Sequence, residues 1–83
     1  MEALFEQEFA DEYRMIGLNI AYYRKLRNLT QLQLAEKVNV SRTHISNIEA
    51  PNVATSVSLD LILRISKTLD IPPAKIFTFP MNE

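Results

Sequence analysis

Residues 30–49 read Thr30-Gln31-Leu32-Gln33-Leu34-Ala35-Glu36-Lys37-Val38-Asn39-Val40-Ser41-Arg42-Thr43-His44-Ile45-Ser46-Asn47-Ile48-Glu49, and they decide the fold. Thr30 followed three residues later by Gln33 is a capping box, and Leu29 and Leu34 stand as a hydrophobic staple around it, so a helix starts here. Its inward face is Leu34, Ala35 and Val38. Ser41 is the N-cap of a second helix, with Val40 and Ile45 as its staple and Ile45 and Ile48 inward at i, i+3. Only Asn39 and Val40 remain as connector. So short a turn needs a left-handed residue, and Asn is the best substitute for Gly in that conformation. Asn28 stands in the same relation to the segment before, in a chain with a single glycine.

With Ile45 and Ile48 inward, the helical period gathers Arg42, Thr43, Ser46 and Asn47 on the outward face of the second helix. All four form hydrogen bonds. Arg forks onto guanine N7 and O6, Asn onto adenine N6 and N7, and Thr or Ser bonds a base edge or touches a thymine methyl. The same four residues also suit a plain solvated face, so the pattern acquires meaning from the capped helix pair that presents it.

Working outward, Leu4 or Phe5, Phe9, Tyr13, Ile16 and Ile20 recur at three- and four-residue steps, which predicts one long helix or two consecutive ones over residues 3–27. Gly17 argues against an unbroken one. Ile16, Ile20, Tyr23 and Leu26 are expected to pack on the two motif helices. A fourth helix is expected from Ser58 to Leu69, with Ser58 as N-cap and Leu59, Ile62, Ile65 and Leu69 inward. Pro73 suits the first turn of a short last helix through Phe77, where its missing N–H costs nothing. Leu18, Leu32 and Leu61 fall where polar residues are expected, and Phe5, Phe9, Phe77, Phe79 and Met81 lie near the ends.

In order and spacing, Ile16-Gly17, Arg24, Thr30-Gln31, Leu34-Ala35, Val40-Ser41, Ile45-Ser46, Ile48-Glu49, Ser58-Leu59, Ile65 and Leu69 to Ile71 resemble the phage-repressor and Cro type of helix-turn-helix domain over about residues 14–78. The resemblance implies an all-α, compact five-helix lambda-repressor-like domain that binds operator DNA, usually as a homodimer, with the helix at about residues 41–50 in the major groove. It would occlude or recruit polymerase at a promoter, and repression is the outcome the family suggests. The resemblance also assigns Gln31 to a phosphate at a helix N-terminus. Arg24 and Glu49 match a family salt bridge, and Arg24 is expected near enough to DNA for a phosphate contact as well. Ser41, His44, Arg27 and Asn52 complete the expected phosphate set, with Lys25 as a flanking charge and Lys37 a solvated one.

The organisation expected is an acidic amphipathic N-terminal helical extension (1–13), the DNA-binding domain (14–78) and a short tail (79–83). Residues 1–13 hold Glu2, Glu6, Glu8, Asp11 and Glu12 with no Lys or Arg, while all nine basic residues stand in 14–83 against five acidic ones. The net charge of −1 therefore conceals a basic domain. Eighty-three residues suit one small module with a modest core. The absence of cysteine excludes disulfides and thiolate zinc sites, which suits a cytoplasmic protein. His44, the only histidine, has no second His or Cys to share a metal. No Gly-rich phosphate loop or nucleophile–base pair suggests an enzyme, and no cofactor is expected.

One departure from the family pattern bears on affinity. After Glu49 the family commonly has Gly and a basic loop, whereas Ala50-Pro51-Asn52-Val53-Ala54-Thr55-Ser56-Val57 has neither. Weaker backbone binding is expected, and Pro51 requires a differently built turn. The alternative function is a helical protein-interaction module, antitoxin- or anti-repressor-like, with weak or lost DNA binding.

Overall fold

The computed structural model describes residues 8–79, which form five α-helices: α1 (Ala10–Leu26), α2 (Gln31–Val38), α3 (Arg42–Glu49), α4 (Leu59–Leu69) and α5 (Ala74–Phe77). The acidic and apolar residues expected to extend the first helix towards residue 3, and Met81 in the tail, lie outside the described residues. α1 runs through the junction between residues 13 and 14, and Tyr13 packs against the core.

α1 runs unbroken through Gly17, and the neighbouring helix explains why a glycine stands there. A Cβ at this position would collide with the carbonyl oxygen of Ile48 at the end of α3. The glycine thus serves close backbone approach, and it is tolerated in mid-helix because α1 and α3 cross there. Asp11 and Glu12 in the first turn and Arg24 and Lys25 in the last complement the helix dipole.

The inward line of α1 is Ile16, Ile20 and Arg24, at four-residue steps. Leu26 does not join it: it is 55% exposed, correcting the expectation that it packs on the motif. Six residues after Ile20 it points about 120° away from that line, and Arg24 takes the inward place. A similar correction applies to α4. Leu59 is 64% exposed and Leu61 only 2%, so the inward stripe is Leu61, Ile65 and Leu69, flanked by Ile62 and Ser66. Two apolar lines compete on this helix, and the four-step line from Leu61 has the stronger continuation.

Three helices end in the same way without glycine. Asn28, Asn39 and Asp70 have φ of 60°, 64° and 58°. At each, two amides turn back on the helix: Leu29 N–H to Arg24 and Asn28 N–H to Lys25, Val40 to Ala35 and Asn39 to Glu36, Ile71 to Ser66 and Asp70 to Lys67. This is the Schellman pattern, and in every case the residue that follows, Leu29, Val40 or Ile71, packs against the core. The turn at Asp70 was not expected from the sequence. The starts are equally defined: Thr30 and Gln33 make both bonds of the capping box, and Ser41 and Ser58 accept from the amides of His44 and Leu61.

Ile20, Leu34, Val38, Ile45, Ile48, Ile65, Leu69 and Ile76 are the largest fully buried side chains, so every helix contributes to one core. Long polar side chains then close helix ends from a distance. Arg27 Nε donates to Leu69 O (2.7 Å) and Nη2 to Asp70 O (3.2 Å), finishing α4. Arg64 Nη1 donates to Val38 O (2.7 Å), finishing α2, and Asn19 Nδ2 donates to Ile76 O and Thr78 O (2.8 and 3.0 Å), finishing α5.

Candidate nucleic-acid interface

α3 is held from three directions. Ser41 Oγ fixes its first turn, Ile45 and Ile48 enter the core, and Glu49 at its last turn is buried among polar partners. Both carboxylate oxygens of Glu49 bind Arg24, Oε2 accepting from Nε at 2.7 Å and Oε1 from Nη2 at 2.8 Å. The remaining Arg24 nitrogen, Nη1, donates to Leu29 O at 2.6 Å. Gln31 Nε2 donates to the same Glu49 Oε1 at 3.0 Å. One buried carboxylate thereby joins the end of α1, the start of α2 and the end of α3. Among the described residues no buried side-chain nitrogen or oxygen lacks a partner.

Against this anchored inner side, the outer side of α3 is polar. Arg42, Thr43 and Asn47 are exposed and Ser46 is half-buried, so the four residues expected to read bases share one face. Ser41, exposed, stands at its start, and half-buried Gln31 stands at the neighbouring start of α2. Gln31 spends one amide hydrogen on Glu49 and retains the other, and Ser41 retains its hydroxyl hydrogen while its oxygen caps the helix.

His44 is half-buried and lies on the margin between the outward face and the core. Asn52 is exposed in the turn after α3. There Val53 N–H donates to Ala50 O (3.4 Å) across Pro51 and Asn52, neither of which has positive φ, so the turn is type I, with Pro at its favoured second position and no need of glycine. Two side chains expected near phosphate also bond within the fold. Every guanidinium nitrogen of Arg24 donates to an internal acceptor. Arg27, expected on phosphate, is turned to the end of α4.

The sequence gives little sign of the Gln31–Glu49 bond, whose partners are 18 positions apart, or of the Asn19 clasp, 57 positions apart. Arg64 left a fainter trace: Asp60 precedes it by one turn, and the two form an ion pair of 3.1 Å. Among the described residues no group of acidic, His or Cys side chains could hold a metal ion, and no helix is long and apolar enough to cross a membrane.

The chain is similar to known proteins over this same region. The sequence profile of a family described as helix-turn-helix matches residues 20–76. The HTH-type transcriptional regulator SinR of Bacillus subtilis (strain 168) is 37% identical over 57 residues, covering 69% of this chain and 50% of SinR, so the chain spans half the length of that relative. Control protein C.SmaI of Serratia marcescens is 31% identical over 70 residues, covering 84% of this chain and 81% of C.SmaI. Among solved structures, the restriction-modification controller protein C.AhdI from Aeromonas hydrophila superimposes with a TM-score of 0.73 at 27% identity, over 81% of this chain and 98% of C.AhdI. With the capped helix pair, its short Asn turn and these likenesses together, the chain belongs to the helix-turn-helix family, in its phage-repressor and Cro branch.

Proposed function

We propose that the chain is a sequence-specific, DNA-binding transcriptional regulator of the cytoplasm, acting without catalysis and repressing by occupying promoter DNA. The observation that carries this reading is α3, locked on its inner side by Ile45, Ile48 and Glu49 while its outer side offers only hydrogen-bonding side chains. Rigid presentation matters because bidentate base contacts tolerate little misalignment. Arg42, Thr43, Ser46 and Asn47 read base edges in the major groove. Gln31, with its free amide hydrogen and the amides that open α2, and Ser41, with its hydroxyl, hold phosphates on either side. His44 and Asn52 are outer phosphate contacts, whereas Arg24 and Arg27 act within the fold.

SinR is named a transcriptional regulator, C.SmaI a control protein and C.AhdI a controller protein, which supports the same role here. One module with four reading residues specifies few base pairs, so a homodimer on a roughly palindromic operator is the working form, its half-sites about 34 Å apart, one turn of DNA. Selection of bound sites from random duplex DNA tests the whole reading. Enrichment of an inverted repeat with that spacing is expected. No enrichment at low salt contradicts it, and is the result the alternative predicts, a helical protein-interaction module.

A further inference from the structure

Glu49 is the last residue of α3, buried, and its carboxylate accepts three side-chain hydrogen bonds. Two come from Arg24, whose guanidinium balances the charge. The third comes from Nε2 of Gln31, the first residue of α2, and charge balance does not require it. A carboxylate has no hydrogen to give, so it holds a carboxamide in one sense only, with the nitrogen towards it. Turned over, the Gln31 amide would set its own oxygen against Glu49 Oε1. The orientation of this side chain is therefore imposed by an anion inside the protein.

One Nε2 hydrogen is spent on Glu49 and the second is left over. The Gln31 side chain is half-buried, and among the described residues it has no other hydrogen-bond partner. A DNA phosphate makes the same demand as the carboxylate, since its free oxygens only accept. The two hydrogens of one amide nitrogen thus suit two anions, one of the protein and one of the DNA. A glutamine without the anchor would rotate among several rotamers, offering oxygen as readily as nitrogen, and would lose that freedom on binding. Here the ordering is already complete in the folded chain. Arg24 is needed for the same purpose one step back, because an unbalanced Glu49 would repel the phosphate that Gln31 is to meet.

From this we propose that Glu49 is a positioning residue for DNA binding: its buried carboxylate holds the Gln31 carboxamide so that one Nε2 hydrogen stays on the protein and the other meets a backbone phosphate. The proposal rests on the reading of the chain as a DNA-binding regulator with Gln31 on phosphate, and adds how that contact is prepared. Because Glu49 belongs to α3 and Gln31 to α2, the bond also ties the phosphate contact to the helix that carries Arg42, Thr43, Ser46 and Asn47. The anchored phosphate and the bases facing α3 then keep one register.

Fluorescence anisotropy on a selected duplex tests this, with single phosphates replaced in turn by uncharged methylphosphonate and far-UV circular dichroism to confirm that each variant is folded. Gln31→Met is expected to weaken binding about ten-fold and to abolish the methylphosphonate penalty at one phosphate. Arg24→Met combined with Glu49→Leu removes the anchor as an apolar pair. In that background Gln31→Met is expected to cost no more than about three-fold, the difference being the ordering of one side chain. The penalty at the same phosphate is expected to shrink while those at other phosphates stand. A merely structural loss lowers affinity for every duplex alike and leaves the methylphosphonate pattern unchanged. That pattern, or a full ten-fold cost of Gln31→Met without the anchor, overturns the proposal. Should the anchorless variant fail to fold, nuclear magnetic resonance of the free wild type decides: the Gln31 Nε2 hydrogens are expected to be shifted from the random-coil pair and slow to exchange with water, and random-coil signals overturn the proposal. A wild type that binds no duplex brings down the DNA-binding reading and this proposal with it; a wild type that binds but fails these tests brings down the proposal alone.

Discussion

Arg24 and Glu49 illustrate how a single pair of residues sets the geometry of the motif. Each is less than a tenth exposed, and every polar side-chain atom of the two has a partner. Arg24→Met leaves the Glu49 carboxylate buried with only Gln31, and a loss of about 3–5 kcal/mol is expected. Replacing both residues by apolar ones is expected to cost less than the sum of the single losses, as measured by urea unfolding in a double-mutant cycle; additive losses contradict the account. Gly17 makes a second prediction in which the sign decides. Helix propensity alone favours Gly17→Ala by about 1 kcal/mol, whereas the abutting Ile48 carbonyl predicts a loss of about 1–3 kcal/mol from overpacking. At this scale the sequence was legible where a partner lies within a few positions, as at Thr30 and Gln33. It was silent on Arg27 and Leu69, which meet across 42 positions.

Helix ends are the level at which the sequence speaks most clearly, because caps and Schellman turns are local chemistry. Asn39, at φ 64°, keeps the connection between α2 and α3 to three residues, the last of them the N-cap Ser41. Asn39→Ala is therefore expected to cost about 1–2 kcal/mol, the usual penalty of the left-handed conformation for a residue with an ordinary Cβ. Asn39→Gly is expected to be nearly neutral. Thermal unfolding separates the two, and equal effects would mean that the turn depends on the Asn side chain itself. Which face of an element turns inward was harder to read. Leu26 and Leu59 are as apolar as Ile20 and Leu61, so composition could not rank the competing lines. The ranking came from tertiary contacts, with Arg24 drawn inward by Glu49 and Leu61 by the core.

For the molecule as a whole, the distribution of charge matters more than its sum. Arg14, Arg24 and Arg64 are in ion pairs and Arg27 is spent on carbonyls, which leaves Lys25, Lys37, Arg42, Lys67 and Lys75 without such partners among the described residues. Residues 50–58 add no positive charge after α3. Few phosphates are neutralised on this account, and since each contributes about 0.9 to the slope of log K against log salt, a slope shallower than about −4 per module is expected. An anisotropy titration giving a slope steeper than about −6 contradicts it. The central claim, that the outer face of α3 reads base edges, is tested most directly by comparing base preferences of wild type with Arg42→Ala, Thr43→Ala and Asn47→Ala on one selected DNA pool. The account predicts that Arg42→Ala and Asn47→Ala each lose about 1–3 kcal/mol of discrimination, at different base pairs, with the fold intact. If all three variants keep the wild-type preference at every position, α3 is not the reading helix.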